Sequence, residues 1–513
     1  MDCPPNILFI ISDQHNAKCV GHEGHVQLQT PALDRLAAEG TRFTACTTAN
    51  PICTPSRVSF LSGQYAHNHG IYGLGGPTPR GVPTVLGHFR RHGYLSAAVG
   101  KIHCPAWWVE DDSDYFREVC GGCSIGGTPE YQAHIASKGL TEVYRLSEGR
   151  SGPSGRGQCI DGYVSDLPWE DTPEGWTVRQ AQTFMDAGQA AGKPFIIQVS
   201  FHRPHQNYAP TQEYWDAYPN PQLPPNADYD QIAAGKAPHL IAGALAYREN
   251  TDWVAFEPRT YDAGRRRKLR GYFGNIGMVD RAVGELLDHL DACGLAEDTV
   301  VIYSSDHGDY ACEHGLMEKA PGICADAITR IPMIWRVPGL TIAGRAVGEV
   351  VESVDLAPTI CALAGLPPLS CADGHDLSAI LGGAAGDPDR VGVTEFAWSK
   401  SLRWRNWRLV RYPRGMFAEH PEGFRELYDL SEDPWEMRNR AQDPACADLC
   451  GELEARLFDW LLTTQRVVST NAANPAPGPE VVERFHVRVG PDGRIGSEHL
   501  HALVARGGNI NYL

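Results

Sequence analysis

The sequence predicts an α/β fold followed by a smaller α+β unit near the C-terminus. Apolar runs typical of strands buried on both faces recur along the chain, and polar residues capable of chemistry follow each run. After about residue 395 the pattern changes to shorter alternating segments, which predicts the smaller unit. A chain of 513 residues with 42% hydrophobic content is long enough to bury both cores.

Four buried strands are predicted in the larger unit, over residues 6–12, 95–99, 195–199 and 299–303. The residues that follow them include Asp13, Lys101 with His103, His205, and Asp306 with His307. Ligands of open α/β sheets bind outside the carboxyl ends of the strands. We therefore expect these side chains to line one shared cleft.

Helices are predicted between and after these strands. Apolar residues recur at spacings of three and four in one segment that ends at Gly294, which predicts a helix facing the core: Tyr272, Ile276, Val279, Val283, Leu286 and Leu290. Residues 354–364 predict another helix, whereas 72–91 and 177–192 have helical or loop character.

Residues 391–396 predict a strand, after which the pattern changes. Three later segments predict the smaller unit: a strand over 401–412, a short partner strand over 426–430 and an amphipathic helix over 447–464. We predict a main domain over 1–395, a small α+β subdomain over 396–465 and a tail over 466–513. The tail is rich in Asn, Ala, Pro and Gly, so we expect it to wrap a surface or contact another subunit of a homo-oligomer.

The charge and cysteine content restrict the partners and the compartment. The 45 basic and 62 acidic residues give a formal charge of −17, which argues against nucleic acid and anionic membranes as partners. A local basic cluster can still bind a small anion, because charges are screened beyond about 8 Å. The 15 scattered cysteines and the lack of a signal or membrane-spanning segment predict a soluble cytoplasmic protein.

The stretch Cys53-Thr54-Pro55-Ser56-Arg57 carries the strongest functional signal. Its proline predicts the first turn of a helix, which would place Cys53 and Arg57 on one helical face. A helix N-terminus favours an anion, and a guanidinium matches the oxygens of sulfate or phosphate. These five residues alone are equally compatible with an ordinary buried cysteine beside a helix start.

Two residue pairs at strand ends offer ligands for a divalent metal ion. Asp13-Gln14 and Asp306-His307 together supply carboxylate, amide and imidazole groups. An Asp at a strand end is also common as a turn or cap residue, and each pair alone fits that alternative.

The chain resembles the type I sulfatase family, within the alkaline-phosphatase-like superfamily, from the first strand to about Asn439. The stretches that carry the resemblance, besides Cys53 to Arg57, are Pro5 to Asp13, Thr30 to Leu36, Gly100-Lys101-Ile102-His103, Pro204-His205, Ser305-Asp306-His307-Gly308, Glu313-His314-Gly315 with Lys319, and Leu427 to Leu430 with Asp433 to Glu436. The resemblance implies a large mixed, mostly parallel sheet sandwiched by helices. It also implies hydrolysis of small anionic sulfate monoesters with release of sulfate.

The resemblance further implies the site residues and cofactors. A formylglycine-generating enzyme would convert Cys53 to formylglycine, whose hydrate is the nucleophile. Asp13, Gln14, Asp306, His307 and residue 53 would hold one divalent ion, Mn²⁺ or Ca²⁺. The remaining catalytic residues would be Arg57, Lys101 and Lys319 around the transferring group, His205 or Lys319 as proton donor to the leaving group, and His103 as base.

Two positions depart from the pattern of many sulfatases, which have Asp-Asp and Asp-Asn at the two metal pairs. Gln14 and His307 remove a carboxylate and add an imidazole, which should move the preference from calcium towards manganese. Related phosphonate monoester hydrolases share these pairs. A phosphonate monoester or phosphodiester hydrolase is therefore the alternative, and an inactive binder of sulfated ligands with unmodified Cys53 is a third hypothesis.

Overall fold

The computed structural model describes residues 4–74, 81–120, 127–149, 161–227, 235–241, 261–319 and 324–465. Its strands are β1 (Asn6–Asp13), β2 (Thr41–Phe43), β3 (Cys46–Thr47), β4 (Leu95–Gly100), β5 (Tyr115–Glu118), β6 (Phe195–Pro204), β7 (Thr299–Ser305), β8 (Met333–Arg336), β9 (Arg345–Val347), β10 (Val351–Glu352), β11 (Val391–Glu395), β12 (Lys400–Trp404), β13 (Trp407–Tyr412) and β14 (Phe424–Asp429). All four strands predicted in the larger unit are present.

The helices alternate with the strands of the larger unit. They are α1 (Pro31–Glu39), α2 (Cys53–Ser62), α3 (Ala66–His69), α4 (Val85–Arg91), α5 (Ala106–Glu110), α6 (Pro129–Ser137), α7 (Thr141–Ser147), α8 (Pro173–Ala191), α9 (Gln212–Ala217), α10 (Tyr261–Ala292), α11 (Asp326–Thr329), α12 (Leu356–Leu363), α13 (Ser378–Leu381) and α14 (Ala447–Thr464). The predicted amphipathic helix corresponds to α10, and the segment 177–192 is helical as part of α8.

The main sheet has eight strands in the order β5-β4-β6-β1-β7-β8-β2-β9. The five strands β5, β4, β6, β1 and β7 are parallel to one another. The next strand, β8, is antiparallel to both β7 and β2. The predicted mixed, mostly parallel sheet is therefore confirmed.

Both faces of this sheet are covered by helices, because alternate residues of β1 enter different cores. Ile7, Phe9 and Ile11 pack with residues of α2, α4 and α12 on one face. Leu8 and Ile10 pack with residues of α1, α8 and α10 on the other. Burial on both faces explains why β1 is an uninterrupted apolar run in the sequence.

The strand register brings the polar strand ends together. Ser12 of β1 lies opposite Ser305 of β7, and Gly100 of β4 lies opposite Ser200 of β6. Parallel neighbours in this register place the residues after each strand along the same edge of the sheet. The predicted shared cleft follows from this alignment.

The C-terminal unit contains an antiparallel sheet in the order β11-β12-β13-β14, packed against α14. The single strand predicted over 401–412 is wrong. The segment forms a hairpin in which Trp404 pairs with Trp407, and Arg405 takes a positive φ of 54° in the two-residue turn. The alternation of side chains continues through such a turn, so it did not reveal the reversal of the chain.

The predicted domain boundaries stay predictions. The sheet of the C-terminal unit begins with β11, four residues before the predicted boundary at 395. The tail over 466–513 lies outside the described residues, and so does its expected contact in a homo-oligomer. In the part of the chain that is described, no helix is both long and apolar enough to cross a membrane.

We predict that Gly100→Ala will destabilise the protein by at least about 2 kcal/mol more than Gly192→Ala. Gly100 has a φ of +96°, and an added Cβ would lie 1.9 Å from the carbonyl oxygen of Ser200 in the neighbouring strand. Gly192 has a φ of +61° with open space around its Cβ position, so it reports the cost of the backbone conformation alone. Denaturant unfolding of both variants measures the difference. Equal destabilisation would show that the strands move apart at little cost.

Candidate active site

Cys53 is the first residue of α2, at the helix start that the sequence predicted. Its side chain is fully buried. One ligand-capable atom each from Asp13, Cys53, Asp306 and His307 lies within 4.8 Å of the others. The two pairs predicted at separate strand ends and the predicted nucleophile thus meet at the N-terminus of α2.

Arg57 lies one helical turn after Cys53 and holds two carboxylates. Its Nε donates to Asp306 Oδ2 at 2.8 Å, and its Nη2 donates to Asp13 Oδ2 at 3.1 Å. Its Nη1 donates to the Lys101 carbonyl at 2.9 Å and to Ser200 Oγ at 2.7 Å. These four bonds engage four of the five N–H groups of the guanidinium. Arg57 therefore holds both carboxylates, and its expected contact with the oxygens of the transferring group stays a prediction.

The bonds to Arg57 direct the other carboxylate oxygens towards one point. Asp13 Oδ1 and Asp306 Oδ1 lie 3.9 and 3.8 Å from His307 Nε2. Asp13 Oδ1 is also 3.7 Å from Cys53 Sγ. Two carboxylate oxygens, an imidazole nitrogen and a sulfur therefore converge.

The tautomer of His307 suits metal binding. Its Nδ1 donates a hydrogen bond to the Gly308 carbonyl at 2.8 Å, so Nε2 carries the lone pair that faces the carboxylates. Burial lowers the pKa of His307, which keeps the imidazole neutral. These donors fit a divalent cation that accepts oxygen and nitrogen ligands.

Gln14 lies beside this point, in contact with the predicted catalytic lysine. Gln14 Oε1 accepts a hydrogen bond from Lys319 Nζ at 2.9 Å, and the same ammonium donates to His205 Nε2 at 3.2 Å. His205 Nδ1 donates to the Gln206 carbonyl at 2.8 Å. Burial and the positive charges of Lys101 and Lys319 lower the pKa of His205. The ammonium of Lys319 therefore donates a hydrogen bond to the neutral imidazole of His205, and one proton lies between the two nitrogens.

Lys101 and His103 lie on the β4 side of the site. Lys101 Nζ is 2.5 Å from Asp13 Oδ2, and both side chains are fully buried. Burial alone would raise the pKa of Asp13, but the positive charges of Lys101 and Arg57 hold it well below its usual range. Burial and the charge of Lys101 lower the pKa of His103, so this histidine is a neutral proton acceptor.

The ionised side chains give the site a positive charge within an acidic protein. Three cations, Arg57, Lys101 and Lys319, accompany two carboxylates, Asp13 and Asp306, so these five groups around residue 53 sum to +1, while a third buried carboxylate, Asp309, lies behind Gln14. In a buried site such a charge is weakly screened and favours an anion. The overall charge of −17 does not oppose binding of a small anionic ester.

The thiol of Cys53 is a poor nucleophile in this environment. Burial and the neighbouring Asp13 raise its pKa well above the usual range, so the protonated form persists at neutral pH. Cys53 Sγ lies 3.1 Å from His307 Nε2, which has no proton of its own to donate. The geometry places residue 53 for chemistry that the unmodified thiol is unsuited to perform.

Asp309 is a buried residue that the sequence reasoning missed. Its Oδ2 accepts a hydrogen bond from Gln14 Nε2 at 2.6 Å, which turns the amide oxygen of Gln14 towards Lys319. Two backbone N–H groups, of Ala311 and Glu318, donate to its Oδ1. Burial raises the pKa of Asp309 to about 6. Its position three residues after Asp306 was the available signal.

Ser200 was also missed, because a serine within an apolar strand carries no distinctive pattern. Ser200 lies within β6, and its Oγ accepts a hydrogen bond from Arg57 Nη1. Thr48 and Ser56 likewise donate to the Asp306 carbonyl at 2.7 and 2.6 Å. These hydroxyl groups fix the ligand loop and the helix start relative to each other.

Comparison with curated proteins finds sulfatases of similar length. The chain is 28% identical over 465 residues to a choline-sulfatase of Rhizobium meliloti. This alignment covers 86% of this chain and 83% of that protein. The chain is also 28% identical over 466 residues to an uncharacterized sulfatase, YidJ, of Escherichia coli, with 89% and 87% covered.

Among solved structures, the phosphonate monoester hydrolase of Agrobacterium radiobacter superposes with a TM-score of 0.75. The alignment covers 92% of this chain and 100% of that chain at 21% identity. This likeness shows the fold, and it confirms the predicted alkaline-phosphatase-like architecture.

Two protein families match the sequence directly. The family described as N-sulphoglucosamine sulphohydrolase, C-terminal, matches residues 312–462. The family described as Sulfatase matches residues 5–366, a span that includes every predicted site residue. Together with the cluster around Cys53, this match shows that the chain belongs to the sulfatase family.

Proposed function

We propose that this protein hydrolyses sulfate monoesters, with formylglycine formed from Cys53 as the nucleophile and one divalent cation held by Asp13, Gln14, Asp306 and His307. The observation that carries the proposal is the convergence of Cys53 Sγ, His307 Nε2 and two carboxylate oxygens within 4.8 Å, at the start of a buried helix. When present, the hydrated aldehyde supplies an oxygen nucleophile and the cation lowers the pKa of that oxygen.

The residues of the chain then divide the remaining work. Arg57 orients Asp13 and Asp306 through its hydrogen bonds. Lys101 lies next to Asp13 and Lys319 next to Gln14, where their charges stabilise the oxygens of the transferring group. Contacts within the protein hold both ammonium groups in place before the substrate binds. Little free energy is therefore needed to reorganise them during the reaction.

Proton transfer is assigned to the histidines and Lys319. Lys319 Nζ and His205 Nε2 share a proton across 3.2 Å, so this pair can protonate the leaving oxygen. His103 is neutral, and its Nδ1 is buried without a hydrogen-bond partner in the described structure. It can therefore accept the proton released when the product leaves residue 53.

Hydrolysis of a phosphonate monoester or phosphodiester remains the alternative, with the same nucleophile. The similar fold of a phosphonate monoester hydrolase and the Asp-Gln and Asp-His pairs favour it. The sulfate proposal is preferred because the family match and the curated relatives are sulfatases. Choline sulfate and aryl sulfates are the first substrates to test, since relatives named choline-sulfatase and arylsulfatase match the chain.

Residue 53 should be formylglycine in protein made with a formylglycine-generating enzyme. Peptide mass spectrometry of the fragment that contains α2 tests this directly. Cys53→Ala should abolish turnover and keep the circular dichroism spectrum, because residue 53 supplies the nucleophile. Cys371→Ser, at an exposed cysteine, is the matched control and should keep full activity. Fully active protein that contains only the intact thiol would contradict the proposal.

Removal of divalent metal with a chelator should eliminate activity, and Mn²⁺ should restore it at least as well as Ca²⁺. The reason is the nitrogen ligand of His307, which suits a transition ion better than calcium. In a His307→Asn variant we expect the relative recovery to shift towards Ca²⁺. Stronger recovery with Ca²⁺ in the unaltered protein would show that this ligand assignment is wrong.

With one aryl leaving group, the sulfate ester should be a better substrate than the phenylphosphonate or the phosphodiester. A sulfate monoester offers three unsubstituted oxygens to the cations, whereas the extra substituent of a diester displaces one contact. The measurement is kcat/KM for the three esters at equal metal loading. A preference of more than about tenfold for either phosphorus ester, or about 1.4 kcal/mol, would support the alternative function. Binding of sulfate esters without turnover, by protein in which Cys53 stays an unmodified thiol even when made with a formylglycine-generating enzyme, would support the inactive binder.

A further inference from the structure

We propose a second metal site, for zinc, formed by Asp186 on α8, His289 on α10 and Cys293, the first residue after α10. Atoms of these three side chains lie within 4.8 Å of one another. Cys293 precedes the start of β7, whereas the active site follows the end of this strand. A strand of seven residues spans about 20 Å, so the two sites lie at opposite ends of the sheet.

The three ligand atoms have nearly the spacing that a tetrahedral zinc ion requires. Cys293 Sγ lies 3.7 Å from His289 Nε2 and 3.8 Å from Asp186 Oδ1, and the last two atoms are 2.9 Å apart. Usual zinc bond lengths to sulfur, nitrogen and oxygen place such atoms about 3.3–3.6 Å apart. A widening of the His–Asp contact by about 0.4 Å brings all three distances close to this range.

The same geometry argues against an activated cysteine. In a nucleophile relay, the carboxylate and the nucleophile contact different nitrogens of the imidazole. Here the carboxylate and the sulfur both approach His289 Nε2. Three electron-pair donors directed at one point are the arrangement of a metal site, where the ion replaces the shared proton.

The two helices hold the ligands in place. His289 lies in the last turn of α10, and the N–H of Cys293, the next residue after the helix, donates to the His289 carbonyl at 3.0 Å, so the two side chains are one helical turn apart. Gln189 Nε2 on α8 donates to the Cys293 carbonyl at 2.8 Å, and apolar residues of both helices share one core. The backbones that carry the ligands are therefore fixed without the metal.

Solvent can reach the site on one side. The side chain of Asp186 is 58% exposed, and that of His289 is 17% exposed. An ion can enter there, and water can occupy the fourth coordination position. One sulfur, one nitrogen and one oxygen donor form a softer set than the active-site ligands and favour zinc over manganese or calcium.

Zinc and cobalt binding to tag-free, full-length protein tests the site. The background variant is Cys53→Ala, which removes the thiol of the active site, and metal is first removed with a chelator. We compare this protein with versions that also carry Cys293→Ser, His289→Ala or the control Cys371→Ser. Equilibrium dialysis against Zn²⁺ measures the stoichiometry, and Co²⁺ reports sulfur ligation through its thiolate charge-transfer absorption.

We expect the background and control proteins to bind one more equivalent of Zn²⁺ than the Cys293→Ser and His289→Ala proteins. Only the first two should show the charge-transfer absorption and a rise in Tm with Zn²⁺, because an ion bound to the folded state stabilises it. Equal stoichiometry in all four proteins, or an absorption that persists after Cys293→Ser, would overturn the proposal. In protein with unaltered Cys53, Cys293→Ser should keep kcat/KM for the sulfate ester.

Discussion

The buried guanidinium of Arg57 is the interaction on which the active site depends. Asp13 and Asp306 follow different strands and direct one oxygen each towards His307 and Cys53. Two buried carboxylates this close repel each other and are costly to desolvate. Arg57 bonds to both and so sets their relative orientation, while Lys101 adds a second positive charge beside Asp13.

This arrangement requires both the parallel sheet and the position of α2. The end of β1 lies between β6 and β7. Asp13 pairs with Pro204 at the end of β6, and Ser12 pairs with Ser305 at the end of β7, next to Asp306. The helix α2 approaches the same edge, with Cys53 at its first residue and Arg57 one turn later. Close packing at Gly308, where an added Cβ would lie 1.9 Å from the Ala327 carbonyl, keeps the ligand loop in place.

The electrostatics of the cleft differ from those of the whole molecule because burial weakens screening. Lys101 and Lys319 are buried beside Asp13 and Gln14, and burial keeps His103, His205 and His307 neutral. The site therefore combines fixed positive charge with neutral proton acceptors. Its chemistry is compatible with an anionic ester, although the whole chain carries a formal charge of −17.

Local sequence patterns predicted much of the fold and most of the site. The apolar runs of β1, β4, β6 and β7 and the periodicity of α10 depend on neighbouring residues, so they can be recognised without tertiary contacts. The polar residues after the strands could be expected in one cleft, because parallel strands end at one edge. The hairpin between β12 and β13 was missed, because alternation alone does not show where a strand reverses.

By itself, the sequence determined which residue types stand at the strand ends and at the start of α2, because these follow from local spacing. Only the tertiary structure decided which atoms they contact. Arg57 is bound to both carboxylates, and Asp309 orients Gln14. Asp186, His289 and Cys293 form a cluster between α8 and the end of α10. These contacts join residues far apart in the chain, and their geometry depends on how the helices and strands pack.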